Sequence, residues 1–424
     1  MFRPPPGRWT HGTGRGARAA TRFADSTETG VGTPFSHDAL FRELRAIRQD
    51  IHANPEFGFQ ERRTSGRVAA MLRACGIAVT EGVGGTGVVG TLKRGASDKA
   101  IILRADMDAL HIAEAPAEDR PHASRNDGYM HACGHDGHTT MLLGAAQLLA
   151  QSQDFDGTIH FVFQPAEEWG KGMLAMLEDG LLERFPASEA YALHNAPGLP
   201  VGKFETRAGV FKSAEDNFEI RIAGKGVHSA RPHLGRDALV AAAGVIVALQ
   251  TIVSRVVAPG EFAIVSCTDM TTSGTRNVSS GEVVISGDCR SFKPETSALI
   301  EAEMRRVADH VAAGYGCAAS VDYSRVFVPT VNDARITAAV GDIVKARFGE
   351  DAIDAAAAPS NGSEDFAQLL RRIPGCYVNL GNGASAALHN PAYDFNDEAI
   401  PYGVGFFVAI ALARLPQAQF RSET

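Results

Sequence analysis

Apolar and polar positions recur along the chain with two periods, and the switch between them divides it. From Ser36, whose hydroxyl can cap free backbone N–H groups, Leu40, Leu44, Ile47 and Ile51 recur at three- and four-residue spacing. That spacing predicts a helix running to Pro55, which has no N–H to continue it. A second helix is predicted through Val68 to Cys75 with Gly76 as its stop, then Gly-rich turns and a short strand over 88–92. Continuous apolar runs at 100–108, 158–163 and 190–193 predict strands buried on both faces. Each delivers polar groups at its end: Asp106 and Asp108, Glu167 and Glu168, and His194. An apolar helix is predicted over 139–150, between the first two runs. The alternation predicts an α/β unit, a mixed and mostly parallel sheet with helices on both faces, whose strand ends collect a ligand.

Near Gly209 the texture changes to longer alternating strands at 217–222, 262–267 and 283–286, with long helices about 236–257 and 294–313. The first texture then returns, as a helix over 336–348, a strand over 376–380, a loop through His389 and a last helix to 415. The predicted organisation is a tail over 1–35, a catalytic unit in two parts over 36–208 and 330–424, and a smaller α+β unit inserted at 209–329. The longest apolar run, 239–249, is shorter than the ~20 residues of a membrane span, and a buried helix is expected there.

A chain of 424 residues is long enough for two cores. The net charge of −8, with 21% charged residues, gives no attraction to nucleic acid or to an anionic membrane, so a small-molecule partner is expected. Cys75, Cys133, Cys267, Cys289, Cys317 and Cys376 follow no framework spacing, which fits free thiols and a cytoplasmic location. Arg3, Arg8, Arg15, Arg18 and Arg22 stand in a Pro-rich start without an apolar segment. This excludes a secretory signal and favours a flexible basic tail, or a start placed too early, over a transit peptide.

The chemistry concentrates in His131-Ala132-Cys133-Gly134-His135-Asp136-Gly137-His138. Such density exceeds what packing explains. Cys133 and His135 would point to the same side of an extended segment, at the mouth of a helix whose dipole favours a thiolate. Adjacent Glu167 and Glu168 diverge, so one can ligate a metal while the other faces water. With Cys133, His135, His194 and His389 they supply donors for two divalent ions. Two other readings use the same residues: a cysteine amidase with Cys133 as nucleophile, and a catalytically silent metal-dependent binding protein.

Six motifs, in order, carry a resemblance: His52-Ala53-Asn54-Pro55-Glu56 with Glu61; Leu103 to Leu110; Met130 to His138; Phe163-Gln164-Pro165-Ala166-Glu167-Glu168; Gly226 to His233; and Gly362-Ser363-Glu364-Asp365-Phe366. Together they resemble the M20 metallopeptidase superfamily in its amidohydrolase branch, which includes hippurate, N-acyl-amino-acid and indole-acetyl-amino-acid hydrolases. The resemblance implies a metal-dependent amidohydrolase that splits N-acyl amino acids into a carboxylic acid and a free amino acid. It implies two divalent ions per subunit, Mn²⁺ or Zn²⁺ with Co²⁺ or Ni²⁺ also compatible. Cys133 would bridge them, with His135, Glu168, His194 and His389 as further ligands, Glu167 as general base toward the attacking water, and Asp106 and Asp108 orienting the ligands. The inserted unit would be a lid that forms a homodimer or a larger assembly. From it His228 would reach the active site, while Asn277 and Arg290 would hold substrate. Trp169 and His111 depart from the family pattern, as do Ser279 and Ser280; the first two are candidates to line a pocket for an aromatic acyl group such as benzoyl or indole-acetyl.

Overall fold

The computed structural model describes residues 37–117 and 120–417; the expected basic tail and the Ser36 cap lie outside the described residues. Strands β1 Ala78–Val83, β2 Gly87–Arg94, β3 Ala100–Asp106, β4 Gly157–Gln164, β5 Glu189–Pro197 and β6 Phe204–Glu205 come first. Next are β7 Gly209–Lys212, β8 Ala214–Ala223, β9 Ala263–Thr272, β10 Glu282–Ser291, β11 Ala318–Phe327 and β12 Thr330–Asn332, and last β13 Ile353–Asp354 and β14 Gly375–Gly383. The larger sheet runs β1-β2-β4-β3-β5-β14-β6-β13. Its centre, β4, β3, β5 and β14, is parallel, while β1, β2 and the β14–β6 contact are antiparallel.

The parallel centre explains the unbroken apolar runs. All seven residues of β3 are buried. Ile101 and Leu103 face one core with Met141, Leu142 and Phe407, whereas Ile102 faces the other with Met173, Met176 and Phe366. Alternate residues therefore have a core on either side, and up to Leu103 no position carries a polar side chain; Arg104 enters only with buried partners at the strand ends. The helix His135–Gln151 packs against the helices His37–His52 and Ile400–Arg414 and is buried at every position from His135 to Ala146. β1, which the apolar pattern did not predict, is a partly exposed outer strand paired only with β2.

A second sheet, β11-β8-β10-β9, is antiparallel throughout and drawn wholly from 214–327. One face carries the helices Ala238–Thr251 and Pro294–Gly314, and β8 alternates buried and accessible residues accordingly. The expectation of a buried helix near 239–249 needs correction. The helix continues through a π turn to Val256, giving 19 residues long and apolar enough by length and composition to cross a membrane. Only one face is seated: Ala241, Ala242, Val245 and Leu249 are buried, while Val240 and Val247 are 50% and 72% exposed. A short β7–β12 pair stands where the chain enters and leaves this region.

Candidate metal centre

The ends of the four central parallel strands define the site. β3 ends at Asp106 and β4 at Gln164, immediately before Glu167 and Glu168; β5 contains His194; and β14 leads into the loop bearing His389. Parallel register places Asp106 beside Gln164 and His194 beside Asn379.

Cys133 is presented by a turn, not by the extended segment expected. Gly134 has φ +90° and caps the helix that begins at His135. A Cβ there would lie 2.3 Å from Asn195 Nδ2 and 2.6 Å from Tyr393 Oη, so conformation and space both require glycine. Ala166, directly before Glu167, also takes a left-handed conformation, φ +47°. Its N–H donates to the buried Glu61 carboxylate at 2.8 Å, which helps hold a turn that is unfavourable for a side chain bearing Cβ.

Donor atoms of Cys133, His135 and His194 lie within 4.8 Å of one another, and so do those of Cys133, Glu168 and His389. The thiol is common to both groups. The His135 and His194 rings are each held from behind. His135 Nδ1 faces Asp108 O at 2.9 Å and Oδ1 at 3.2 Å, leaving Nε2 toward the cluster; His194 Nδ1 faces Asn195 O at 2.7 Å, leaving Nε2 at 3.4 Å from Cys133 Sγ. Asp108 Oδ2 also accepts from the Glu168 N–H at 3.1 Å. His389, exposed and with φ +63°, reaches in from its loop to 3.4 Å from Glu168 Oε1. Contacts with Cys133 and Glu168 push the His389 pKa up to about 11.

The residues fit divalent ions. His135 Nε2 and Glu168 Oε1 are buried without a hydrogen-bond partner, and both point into the cluster. Stranding two polar atoms in one place is costly unless something else satisfies them. His138 is the exception among the clustered histidines. Its Nε2 accepts the Asn195 N–H at 2.9 Å and its Nδ1 donates to Asp106 at 2.6 Å, so both nitrogens are used in orienting neighbours.

Glu167 belongs to neither Cys133 group. It is buried, with Oε1 3.4 Å from the Asp365 N–H, and burial together with Glu364, Glu168 and Asp365 holds its pKa well above the carboxylate range. Behind it the fully buried Arg104 bonds Gln164 at 2.7 Å, Asp106 at 2.8 Å, Glu364 at 2.9 Å and Asp365 at 3.3 Å. Arg104, Glu364 and Asp365 lie inside motifs that the sequence reading noticed without assigning them a task. The orienting role of His138, and the part played by Asn195 and Tyr393, emerge only from the tertiary contacts.

Sequence candidates in the smaller sheet region lie apart from these contacts. His228 and Asn277 are exposed on neighbouring loops, joined by the Ser229 N–H to the Asn277 carbonyl at 2.9 Å. Arg290 is half-buried, with contacts of 2.7 Å each to Glu215, Asp288 and Ser363. Trp169 is 39% exposed and belongs to an aromatic series, 6.4 Å from the Phe59 ring and 5.0 Å from that of Phe57, which lies 5.9 Å from Tyr129, itself 5.2 Å from His111.

A buried thiol shared by two donor sets, with the buried Glu167 beside it at the ends of parallel strands, is an arrangement suited to a metal-dependent hydrolase of amide bonds. The model of peptidase family M20/M25/M40 matches residues 102–413, and the chain belongs to that family. Among similar proteins, a hippurate hydrolase from Campylobacter jejuni is 38% identical over 88% of this chain and 97% of its own. An N-acetyl-L-cysteine deacetylase from Bacillus subtilis is 38% identical over 87% of each. The crystal structure of a dinuclear metal-binding peptidase of the M20 family from B. subtilis superposes with a TM-score of 0.77 at 34% identity, covering 89% of this chain and 99% of that one.

Proposed function

We propose that the protein is an amidohydrolase that cleaves N-acyl amino acids to a carboxylic acid and a free amino acid. The observation that carries this reading is Glu167, buried beside two donor sets that share Cys133 and itself a member of neither. Cys133, His135, His194, Glu168 and His389 would hold two divalent ions, Mn²⁺ or Zn²⁺ in the first instance and Co²⁺ or Ni²⁺ as alternatives. When bound, such ions supply Lewis acidity for the amide carbonyl and lower the pKa of water. Glu167 takes a proton from the attacking water and delivers it to the leaving nitrogen, a task its raised proton affinity suits. Asp108 fixes His135, and Asp106 acts through His138, so that the donors hold their aim.

The relatives named hippurate hydrolase and N-acetyl-L-cysteine deacetylase support an N-acyl amino acid as substrate. The aromatic series that includes Trp169, next to Glu168, supports an aromatic acyl group such as benzoyl or indole-acetyl, which would stack there. The exposed face of the helix 238–256 supports a homodimer through the inserted region, a face of 19 residues' length with Val240 and Val247 unpacked. In that dimer His228 and Asn277 of one protomer would approach the metal centre of its partner.

The test is hydrolysis of hippurate, N-acetyl-amino acids and indole-acetyl-aspartate by protein stripped with chelator and reloaded with Mn²⁺, Zn²⁺ or Co²⁺. Activity is expected to return with metal, and Glu167→Gln is expected to lower kcat by about 10²- to 10⁴-fold at unchanged metal content. The 3.4 Å Cys133–His194 contact favours one rival, Cys133 as nucleophile. Activity that survives stripping and is lost on thiol alkylation would establish it. A reloaded protein silent on the whole panel would leave a metal-dependent binding protein.

A further inference from the structure

Lys212 ends β7, where the chain crosses from the large sheet to the small one. Its backbone is bridged to Ser360, and the next N–H, of Ser213, donates to Gly362 O at 2.9 Å, so this stretch lies against the segment that continues into Glu364 and Asp365. The side chain is half-buried. Its ammonium lies 5.5 Å and 5.6 Å from the ring centres of Phe211 and Tyr377, and the Tyr377 ring is 6.3 Å from that of His194. Among the described residues no carboxylate oxygen lies within 4.0 Å of it and it makes no hydrogen bond. Yet Glu364, Glu167 and Glu205 are near enough to act on it electrostatically, and it is near enough to act on His194.

An ammonium flanked by two aromatic faces but paired with no anion is costly to desolvate, because the cation–π contacts return only part of what the charge loses on leaving water. Burial accordingly lowers its pKa. The other cations near the cleft show the contrast. Arg104 is saturated by Gln164, Asp106, Glu364 and Asp365. Arg290, whose planar fork suits a carboxylate, is engaged by Glu215, Asp288 and Ser363 and braces the small sheet to the Ser363 loop. The substrate class proposed above carries an α-carboxylate that must itself shed water on entering the cleft, and it needs a positive group without a prior partner.

We propose that the Lys212 ammonium receives the carboxylate of the substrate. The inference rests on the N-acyl-amino-acid reading and adds the residue that selects acids over neutral amides. A lysine meets an anion as a point charge without the fixed fork of arginine, so the anchor tolerates varied amino-acid side chains. Two carboxylates fit the same chemistry, the α-carboxylate of the amino-acid half or one carried by the acyl half.

The test uses metal-loaded enzyme and four substrates: the best N-acyl amino acid of the panel, its carboxamide, and the N-succinyl form of the same amino acid and of its amide. Lys212→Met is expected to raise KM for the N-acyl amino acid by about 10- to 100-fold while kcat stays within about threefold, and to leave the carboxamide unchanged. Lys212→Arg is expected to restore most of the loss, and Lys212→Gln gives the same readout where the methionine variant does not fold. Calorimetric binding of the N-acyl amino acid to Glu167→Gln protein, with and without Lys212→Met, is expected to weaken by the same factor. A KM rise seen with the succinyl amide and not with the simple acid assigns the anchor to the acyl half. Equal effects on acid and carboxamide, or a preference for acids abolished by Arg290→Gln and not by Lys212→Met, overturn the proposal. Wild-type enzyme inactive on every N-acyl amino acid overturns the functional reading beneath it, which is a different result from an active enzyme indifferent to Lys212.

Discussion

The two sheets handle charge in opposite ways. In the large one Arg104 is sealed from solvent among Asp106, Glu364 and Asp365, and one guanidinium cannot neutralise three carboxylates. Burial pushes the Asp365 pKa up to about 8 even with Arg104 beside it. In the small sheet Arg221 meets Glu219 and Glu282 with all three side chains about half exposed, 48%, 48% and 50%. The residue types match, and the solvent around them differs. Paired charge at the ends of β3 and β4 is an arrangement the core cannot relax, whereas the pairs on β8 and β10 are interchangeable with water.

Removing one buried partner should therefore have the largest effect. Arg104→Met leaves carboxylates facing each other without a cation and is expected to destabilise by about 3–5 kcal/mol, read as a lower urea midpoint at unchanged slope. A loss under about 1 kcal/mol would show that the cluster reorganises or takes up protons freely, and the contrast between the sheets would fail.

A smaller effect, and one with a direction in pH, is expected at His52. It is buried and faces Asp136 at 2.8 Å and Glu114 at 3.3 Å. Burial lowers its pKa, but these two carboxylates outweigh that and raise it from 6.5 to about 9. The folded state thus holds the proton more tightly than the unfolded one. Its stabilising contribution is full below pH 6.5 and is lost as pH rises through about 9. Urea midpoints should fall more steeply across that window for wild type than for His52→Asn; parallel curves would mean that the imidazole is neutral throughout.

The smallest effect belongs to the exposed pairs. Arg221→Ala should change stability by no more than about 1 kcal/mol, and the change should shrink with added salt. A loss comparable to that of Arg104→Met would erase the distinction from the other side.

Much of the architecture was legible because strand burial and chemistry share one pattern. The runs ending at Asp106, Glu167 and His194 had to be strands with cores on both faces, since only such strands exclude polar residues for so long and then admit several at once. The helix 238–256 was read less well. Its composition resembles that of the helix 135–151, yet one is covered on all sides for most of its length and the other on one face only. Hydropathy records how apolar a surface is and carries no information about what covers it.

By itself the sequence determined the class of donors and the α/β alternation with an interrupting α+β stretch, because local spacing suffices for these; the need for glycine at 134 came with Asn195 and Tyr393 packed against it. Folding decided the rest. That Cys133 belongs to two donor sets, that His138 orients while His135 is left with an open nitrogen, that Arg290 is occupied while Lys212 is not, all depend on groups separated by tens to hundreds of residues. Such assignments follow from which hydrogen-bond and charge partners remain unmatched, and a partner is unmatched only with respect to a completed three-dimensional neighbourhood.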